Sequence, residues 1–274
     1  MRPEAPTVPD ALSIELIRQH LLPTCVVGHR ICLYDAVPST NAALRELAKT
    51  GAAEGTVVLA ESQTAGRGRA GKAWFSPPGV NLYASVLFRP AIPPSAGAVF
   101  SFMAPLALAD AIRELGLSPA IKWPNDVLVR RRKAAGTLAE LSVHGDRVDS
   151  VILGVGVNLN VEHAALRAAL GAAAQHATSL GEMLGGPIDR NAFAAAFLTY
   201  LDEWLLIYRE QGGPVLLRAW RDLDIVTGRR VEVREDSLVF DGRARGVDAD
   251  GHLEVEDALG RIHRVVAGEV RLIE

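Results

Sequence analysis

Two hydrophobic periods alternate along the chain. The opening PDALSIELIRQHLL spaces its apolar positions as an amphipathic helix does. PSTNAALRELAKT repeats that spacing behind Ser39, Thr40 and Asn41, any of which can cap a helix running to about Lys49. Strand texture appears in RICLYDAV, TVVLAES and VNLYASVLFRP, in the short IKWPNDVLV, and in AAGTLAELSV and DRVDSVILGVGVNLN, which the turn HGD joins. The most apolar segment, AGAVFSFMAPLALADAI (96–112), is interrupted by Ser101, Pro105 and Asp110 and is shorter than a bilayer requires, so it predicts a buried helix. Helical spacing returns in DRNAFAAAFLTYLDEWLLIYREQ and GPVLLRAWRDLD, both assigned to packing. From about Gly228 onward, short alternating strands separated by glycine or aspartate turns predict a small β-barrel.

With 274 residues and 49% apolar content, the chain can build one large domain and a small one around a real core. A net charge of −3 argues against broad binding to nucleic acid or an anionic membrane. Positive clusters must therefore act locally, on a small anion. Cys25 and Cys32 cannot make a disulfide framework and are expected to be buried apolar residues in a reducing cytosol. The first residues, MRPEAPTVPDAL, lack the charged start and apolar core of a signal peptide, so no export is expected. His29, His144 and His176 share no ligand spacing, and a zinc site is not expected.

The candidate chemistry sits where these periods break. ESQTAGRGRAGKAW (61–74) interleaves Arg67, Arg69 and Lys72 with Gly66, Gly68 and Gly71, directly after a strand. Glycines let backbone N–H groups approach an anion while the cations neutralise it, although a solvated basic turn would share that charge. A nucleotide-hydrolysing P-loop is excluded: Ala73 replaces the metal-binding hydroxyl, and FSPPG cannot open the required helix. KWPND (Lys122 to Asp126) belongs at a sheet edge or strand end, because Pro124 removes a ladder donor. There Trp123 can pack the wall, Asn125 can bind a ligand and Asp126 can help to hold Mg2+, or the run is an ordinary Asn-Asp turn. Lys133 enters a strand behind Arg131 and Arg132; those arginines read as a solvated hairpin tip, while Lys133 can be fixed as an electrophilic clamp. GVGVNLN (154–160) lacks a third glycine and does not open a helix, so it is not a dinucleotide fingerprint. Its alternate glycines let something lie close to the strand beside Asn158, or mark tight core packing.

Taken in order, STN (39–41), GRGRAGKAW (66–74), KWPND (122–126), Lys133, GVGVNLN (154–160), GRARGVDADGHLEVED and GEVRLIE resemble a biotin protein ligase, from about residue 30 to the C-terminus. The family's loop usually carries a basic residue where Ala70 stands and arginine where Lys72 stands. The resemblance implies an α+β fold: a mixed-sheet catalytic domain flanked by helices, of the class II synthetase-like kind, over 30–225, with an SH3-like β-barrel over 226–274 and an N-terminal extension over 1–29. It implies that biotin and MgATP form biotinoyl-5′-AMP and pyrophosphate, after which a lysine of a biotin carboxyl carrier protein takes the biotinoyl group. By resemblance, biotin would meet Ser39, Thr40, Asn41, Gln63, Gly66, Arg67, Lys133 and Gly136, and the adenylate Arg69, Lys72, Trp74, Lys122, Asn125 and Asn158. Asp126 would help to hold Mg2+ with the ATP phosphates, and Lys133, Arg69 and Arg67 would carry catalysis.

A lipoate ligase or octanoyl transferase shares that architecture. Octanoyl transfer needs a cysteine nucleophile, and neither cysteine lies in a matching motif. A biotin-sensing repressor would add a DNA-binding module, for which about 30 residues before the core are too few, so DNA binding is not expected. A cytoplasmic protein without membrane association, with a homodimer as a further expectation of the resemblance, completes the reading.

Overall fold

The computed structural model describes residues 11–21, 26–235 and 238–273. Cys25 and most of the residues read for a signal peptide lie outside the described residues.

Seven strands form a mixed sheet in the order β1-β2-β3-β7-β6-β5-β4. They are β1 (Arg30–Val37), β2 (Thr56–Gln63), β3 (Leu82–Phe88), β4 (Pro119–Lys122), β5 (Asp126–Val129), β6 (Arg132–His144) and β7 (Arg147–Val157). Only β1 and β2 run parallel; α1 (Ile14–His20) precedes β1, and α2 (Thr40–Lys49) makes the crossover. Every residue of β3 is buried because the sheet is covered on both faces. On one face Val58, Leu87 and Ile152 meet Leu44 and Ala48 of α2. On the other, Val57, Leu59, Val86 and Phe88 join the main core with α3 (Met103–Glu114) and α6 (Arg190–Gln211).

The apolar segment expected as one helix is two. A 3-10 stretch, Pro94–Phe102, precedes α3. Pro105 has no N–H to donate to the Ser101 carbonyl, so a continuous α-helix is blocked, whereas Pro is tolerated in the first turn of α3. Pro94–Glu114 is long and apolar enough to cross a membrane by composition, yet most of it is buried inside the protein. Cys32 is half-buried on the edge strand β1, and so less enclosed than its apolar character predicts.

KWPND forms the turn between β4 and β5, the last two strands of the sheet, as its proline requires. The chain returns to this edge at residues 223–225, where Ile121 N donates to Leu223 O (2.8 Å) and Ile225 N donates to Ile121 O (3.0 Å). It then enters the C-terminal sheet of β8 (Arg230–Glu235), β9 (Leu238–Val247), β10 (Leu253–Glu256), β11 (Ile262–Val265) and β12 (Glu269–Leu272). This sheet is antiparallel with order β11-β10-β9-β8-β12; among the described residues β11 and β12 form no ladder, so the expected small β unit is present without barrel closure. Trp123 Nε1 donates to Gly251 O (3.0 Å), tying the β4–β5 turn to the C-terminal unit, and Arg221 Nε at the end of the helix Gly213–Arg221 donates to Val247 O (3.1 Å).

Between β7 and α6 lie α4 (His163–Leu170) and α5 (Leu180–Leu184). The start of α6 carries a buried ion pair, Arg190 Nη1 to Glu61 Oε2 at 2.8 Å, and Arg190 Nη1 also donates to Asn81 O (3.1 Å). Glu61 Oε1 accepts from Leu12 N, so one pair ties the N-terminal segment, β2 and α6. Arg190→Met strands the Glu61 carboxylate and is expected to lower unfolding stability by about 3–5 kcal/mol in urea titrations. A change near zero would show that the pair does not hold this corner.

Candidate active site

A cleft of about 1390 Å3 opens beside the glycine-arginine loop, the β4–β5 turn and the starts of α2 and β6, with β12 of the C-terminal sheet at its rim. The loop closes on itself as a hairpin. Trp74 N donates to Gly66 O (2.9 Å), Gly68 N to Lys72 O (2.7 Å) and Lys72 N to Arg69 O (3.1 Å). Between these bonds Ala70 takes φ +51°, a left-handed conformation costly for a residue with a Cβ. Residues 73–81 form no helix, which agrees with the exclusion of a P-loop.

The loop leaves two cations uncommitted. Among the described residues, the Arg67 and Arg69 side chains have no hydrogen-bond or ion-pair partner, and both residues line the cleft. Burial pushes the Arg69 guanidinium below its ordinary value, and the field of Asp126 pulls it partly back. Lys72, expected on phosphate, is instead paired with Glu269 of β12 at 2.8 Å. That contact holds the Glu269 carboxyl below its usual range and joins the loop to the C-terminal sheet.

Across the cleft, Lys133 Nζ lies 2.5 Å from Asp126 Oδ1. Burial also pushes the Lys122 ammonium down, with Asp126 the largest opposing influence. Asp126 thus stands among three cations that an anionic ligand would meet. Lys133 Nζ sits 5.2 Å above the Trp74 ring.

The alternate glycines of β7 receive protein side chains. Gly156 faces Gly136 across the β6–β7 ladder. A Cβ on Gly156 would stand 2.3 Å from Trp74 Nε1, and one on Gly136 would stand 3.1 Å from Trp74 Cζ3. The indole therefore lies directly on the backbone of two strands. Its Nε1 is buried without a hydrogen-bond partner, an orphaned donor that suits a ligand acceptor. Gly154 makes the same room for Asn41, whose Oδ1 would lie 2.1 Å from an added Cβ.

At the head of α2, Ser39 occupies the cap position, but its hydroxyl makes no cap hydrogen bond although the residue is buried. Thr40 N donates to Gln63 Oε1 (2.9 Å), and Gln63 Nε2 donates to Ser76 Oγ (3.0 Å), which fixes the Gln63 amide. Gly66 leaves no space for a side chain, since a Cβ would meet Ser76 Oγ and Trp74 O at 2.6 Å.

Two expected ligand amides are partly engaged by the protein. Asn125 Nδ2 donates to Thr137 O, and Asn158 Nδ2 donates to Thr178 O (3.0 Å). Buried amide donors need such acceptors, and the Oδ1 atoms remain for the cleft. Arg132, read as part of a solvated tip, pairs with Glu182 at 2.9 Å, while Arg131 lines the cleft. Glu140 and Ser85 carried no local motif, Glu269 lay in GEVRLIE without being marked as a site residue, and none was legible as a neighbour of the site.

Residues 33–158 match the biotin/lipoate A/B protein ligase family, and residues 226–272 match the biotin protein ligase C-terminal domain. The chain is 33% identical over 252 residues to the bifunctional ligase/repressor BirA of Bacillus subtilis, spanning 92% of this chain and 76% of that one. It is 36% identical over 242 residues to the biotin–[acetyl-CoA-carboxylase] ligase of Mycobacterium tuberculosis, spanning 85% of each. The solved structure of biotin protein ligase from Aquifex aeolicus in complex with biotin and ATP superposes with a TM-score of 0.72 at 26% identity, over 89% of this chain and 99% of that one.

The seat of Trp74 is directly testable. Gly156→Ala should displace the indole and raise acrylamide quenching of tryptophan emission, with the far-UV circular dichroism unchanged. Unaltered quenching would mean that the indole does not rest on these strands.

Proposed function

The chain belongs to the biotin/lipoate A/B protein ligase family and is a biotin protein ligase, and we propose that the cleft described above carries both of its half-reactions. Biotin and ATP are the substrates, and a biotin carboxyl carrier protein is the acceptor. The observation that carries the site assignment is the adjacency of uncommitted cations to a small neutral polar cluster. Biotin needs both: its carboxylate must approach a phosphate, and its ureido ring needs a few fixed donors and acceptors within a largely apolar ligand.

In this reading Ser39, Thr40 and Gln63 hold the ureido group, with Asn41, Gly66 and Gly136 shaping its surroundings. Lys133 and Arg67 hold the carboxylate. Arg69, Lys122 and Lys72 face the phosphates, with Lys72 exchanging Glu269 for phosphate, and Trp74, Asn125 and Asn158 take the base and ribose. The biotin carboxylate oxygen attacks the α-phosphorus, and the bond to the β-phosphate oxygen breaks to release pyrophosphate. The carrier lysine, as free amine, then attacks the acyl carbon; the bond to the phosphate oxygen breaks, AMP leaves and the amine proton is lost. No side-chain nucleophile is required, so catalysis is alignment and charge neutralisation.

Asp126 fits an Mg2+ that arrives with ATP. One of its oxygens meets Lys133, and the other has no partner among the described residues. Such an ion neutralises phosphate charge and usually needs only one or two carboxylates. The lipoate alternative is disfavoured by the match of residues 226–272 to the biotin protein ligase C-terminal domain. A cytoplasmic setting, absence of DNA binding by these residues and self-association belong to the same proposal. For self-association the open edge is β1, since residues 223–225 cover β4.

Pyrophosphate release with MgATP should be stimulated by biotin and not by lipoate or octanoate. Lys133→Ala should reduce the biotin-dependent rate at least about a hundredfold, the scale of one well-placed oxyanion donor. A near-normal rate would remove Lys133 from the mechanism. Arg69→Ala should let biotinoyl-5′-AMP escape into solution, and an unchanged dissociation rate would show that the loop does not retain the adenylate.

A further inference from the structure

A chain of hydrogen bonds runs from the wall of the cleft to a carboxylate behind it. Ser85, on β3 and fully buried, places its Oγ 2.6 Å from Asn41 Oδ1 and 2.8 Å from Thr40 Oγ1. A serine has one hydroxyl proton and can donate to only one of them. The acceptors beside the Asn41 amide decide which, Glu140 foremost. Its carboxylate, paired with Arg45 Nη2 at 2.6 Å, accepts from Asn41 Nδ2 at 2.8 Å, and the Leu138 carbonyl accepts from the same nitrogen at 3.4 Å.

Asn41 must therefore turn its amino group toward Glu140 and its oxygen toward Ser85. That oxygen has no proton to give, so the Ser85 proton goes to it. Thr40 must then donate to Ser85 Oγ; otherwise two oxygen lone-pair regions would face each other at 2.8 Å in a buried place. The other acceptor within reach, Gln63 Oε1, lies farther off at 3.3 Å and already takes the Thr40 N–H. Thr40 Oγ1 is left with only lone pairs for the cleft.

We propose that Glu140, acting through Asn41 and Ser85, sets the polarity of the Thr40 hydroxyl, so that Thr40 accepts an N–H of the bound acid and rejects an analogue presenting oxygen there. The inference rests on the assignment of Thr40 to the ureido group. Glu140 and Ser85 are positioning residues and touch no substrate. A site built to receive an N–H discriminates through the group it leaves unpaired when that N–H is missing, which gives the relay a role in substrate choice.

The test compares desthiobiotin with its two oxazolidinone counterparts, in each of which one ring N–H is replaced by oxygen, using MgATP-dependent pyrophosphate release by the full chain. Wild-type protein should strongly prefer desthiobiotin over at least one isomer. In Ser85→Ala the Thr40 hydroxyl is freed to donate, and the kcat/KM ratio against that isomer should fall about tenfold, the discrimination of one hydrogen bond. Glu140→Ala, at a half-exposed position, leaves the Asn41 amino group only the Leu138 carbonyl at 3.4 Å, so Asn41 can turn over, and the same fall is expected even if the buried serine variant fails to fold. Glu140→Gln still offers an oxygen to Asn41 and should keep the wild-type ratio, and the KM for ATP should stay constant throughout. If the variants weaken all three acids equally, the network is only structural and the relay is overturned. If wild-type protein shows no release with biotin, the functional assignment falls and takes the relay with it; normal release with an unchanged ratio removes the relay alone.

Discussion

A carboxylate and a phosphate repel each other, and they can be brought into bonding distance only where positive charge stands between them and water does not screen it away. The cleft is organised around that constraint. Its cations come from separate parts of the fold: Arg67 and Arg69 from the loop after β2, Lys122 from the end of β4, and Lys133 from the start of β6. Lys122 and Arg69 are held where burial disfavours their own charge, a cost that, in the proposed reading, a bound anion offsets. Asp126 pairs with Lys133, and its field also acts on Lys122 and Arg69.

The scaffold meets that requirement through backbone access. Gly136 and Gly156 pair across two central strands, and Trp74 lies on them. The indole brings the far end of the loop down onto the sheet, next to Lys133. Two residues before the indole, Lys72 is tied to Glu269 of the C-terminal sheet. The loop is therefore seated at Trp74 and tethered at Lys72, and Arg67 and Arg69 lie earlier in the same hairpin. The C-terminal unit enters the site through this tether and through Trp123, whose side chain sits under the β4–β5 turn and bonds to Gly251.

Features written in consecutive residues were the most legible in the sequence. The strand and helix runs, the failed P-loop and the edge position of KWPND could be read because glycine, proline and apolar spacing act locally. The break at Phe102 was missed: Pro105 was seen as an interruption, but the 3-10 geometry before it depends on packing. The partners of Asn125, Asn158 and Lys72 were not legible either, because Thr137, Thr178 and Glu269 become neighbours only after the sheets assemble. The alternate glycines of β7 announced a close approach; only the fold shows that the approaching groups are Trp74 and Asn41. Ser85 and Glu140 lie in ordinary strand sequence, and nothing local distinguishes them.

The central claim is that the loop cations let two anions share one cleft, and the most direct measurement is their mutual effect on binding. Calorimetric titration of biotin should be carried out with and without a non-hydrolysable ATP analogue and Mg2+, for wild-type protein and for Arg67→Ala/Arg69→Ala. In wild-type protein the nucleotide should leave biotin affinity equal or improved, and in the double variant it should weaken it by about tenfold or more, the scale of an unscreened charge contact at an intermediate dielectric. Identical coupling in the two proteins would contradict the account.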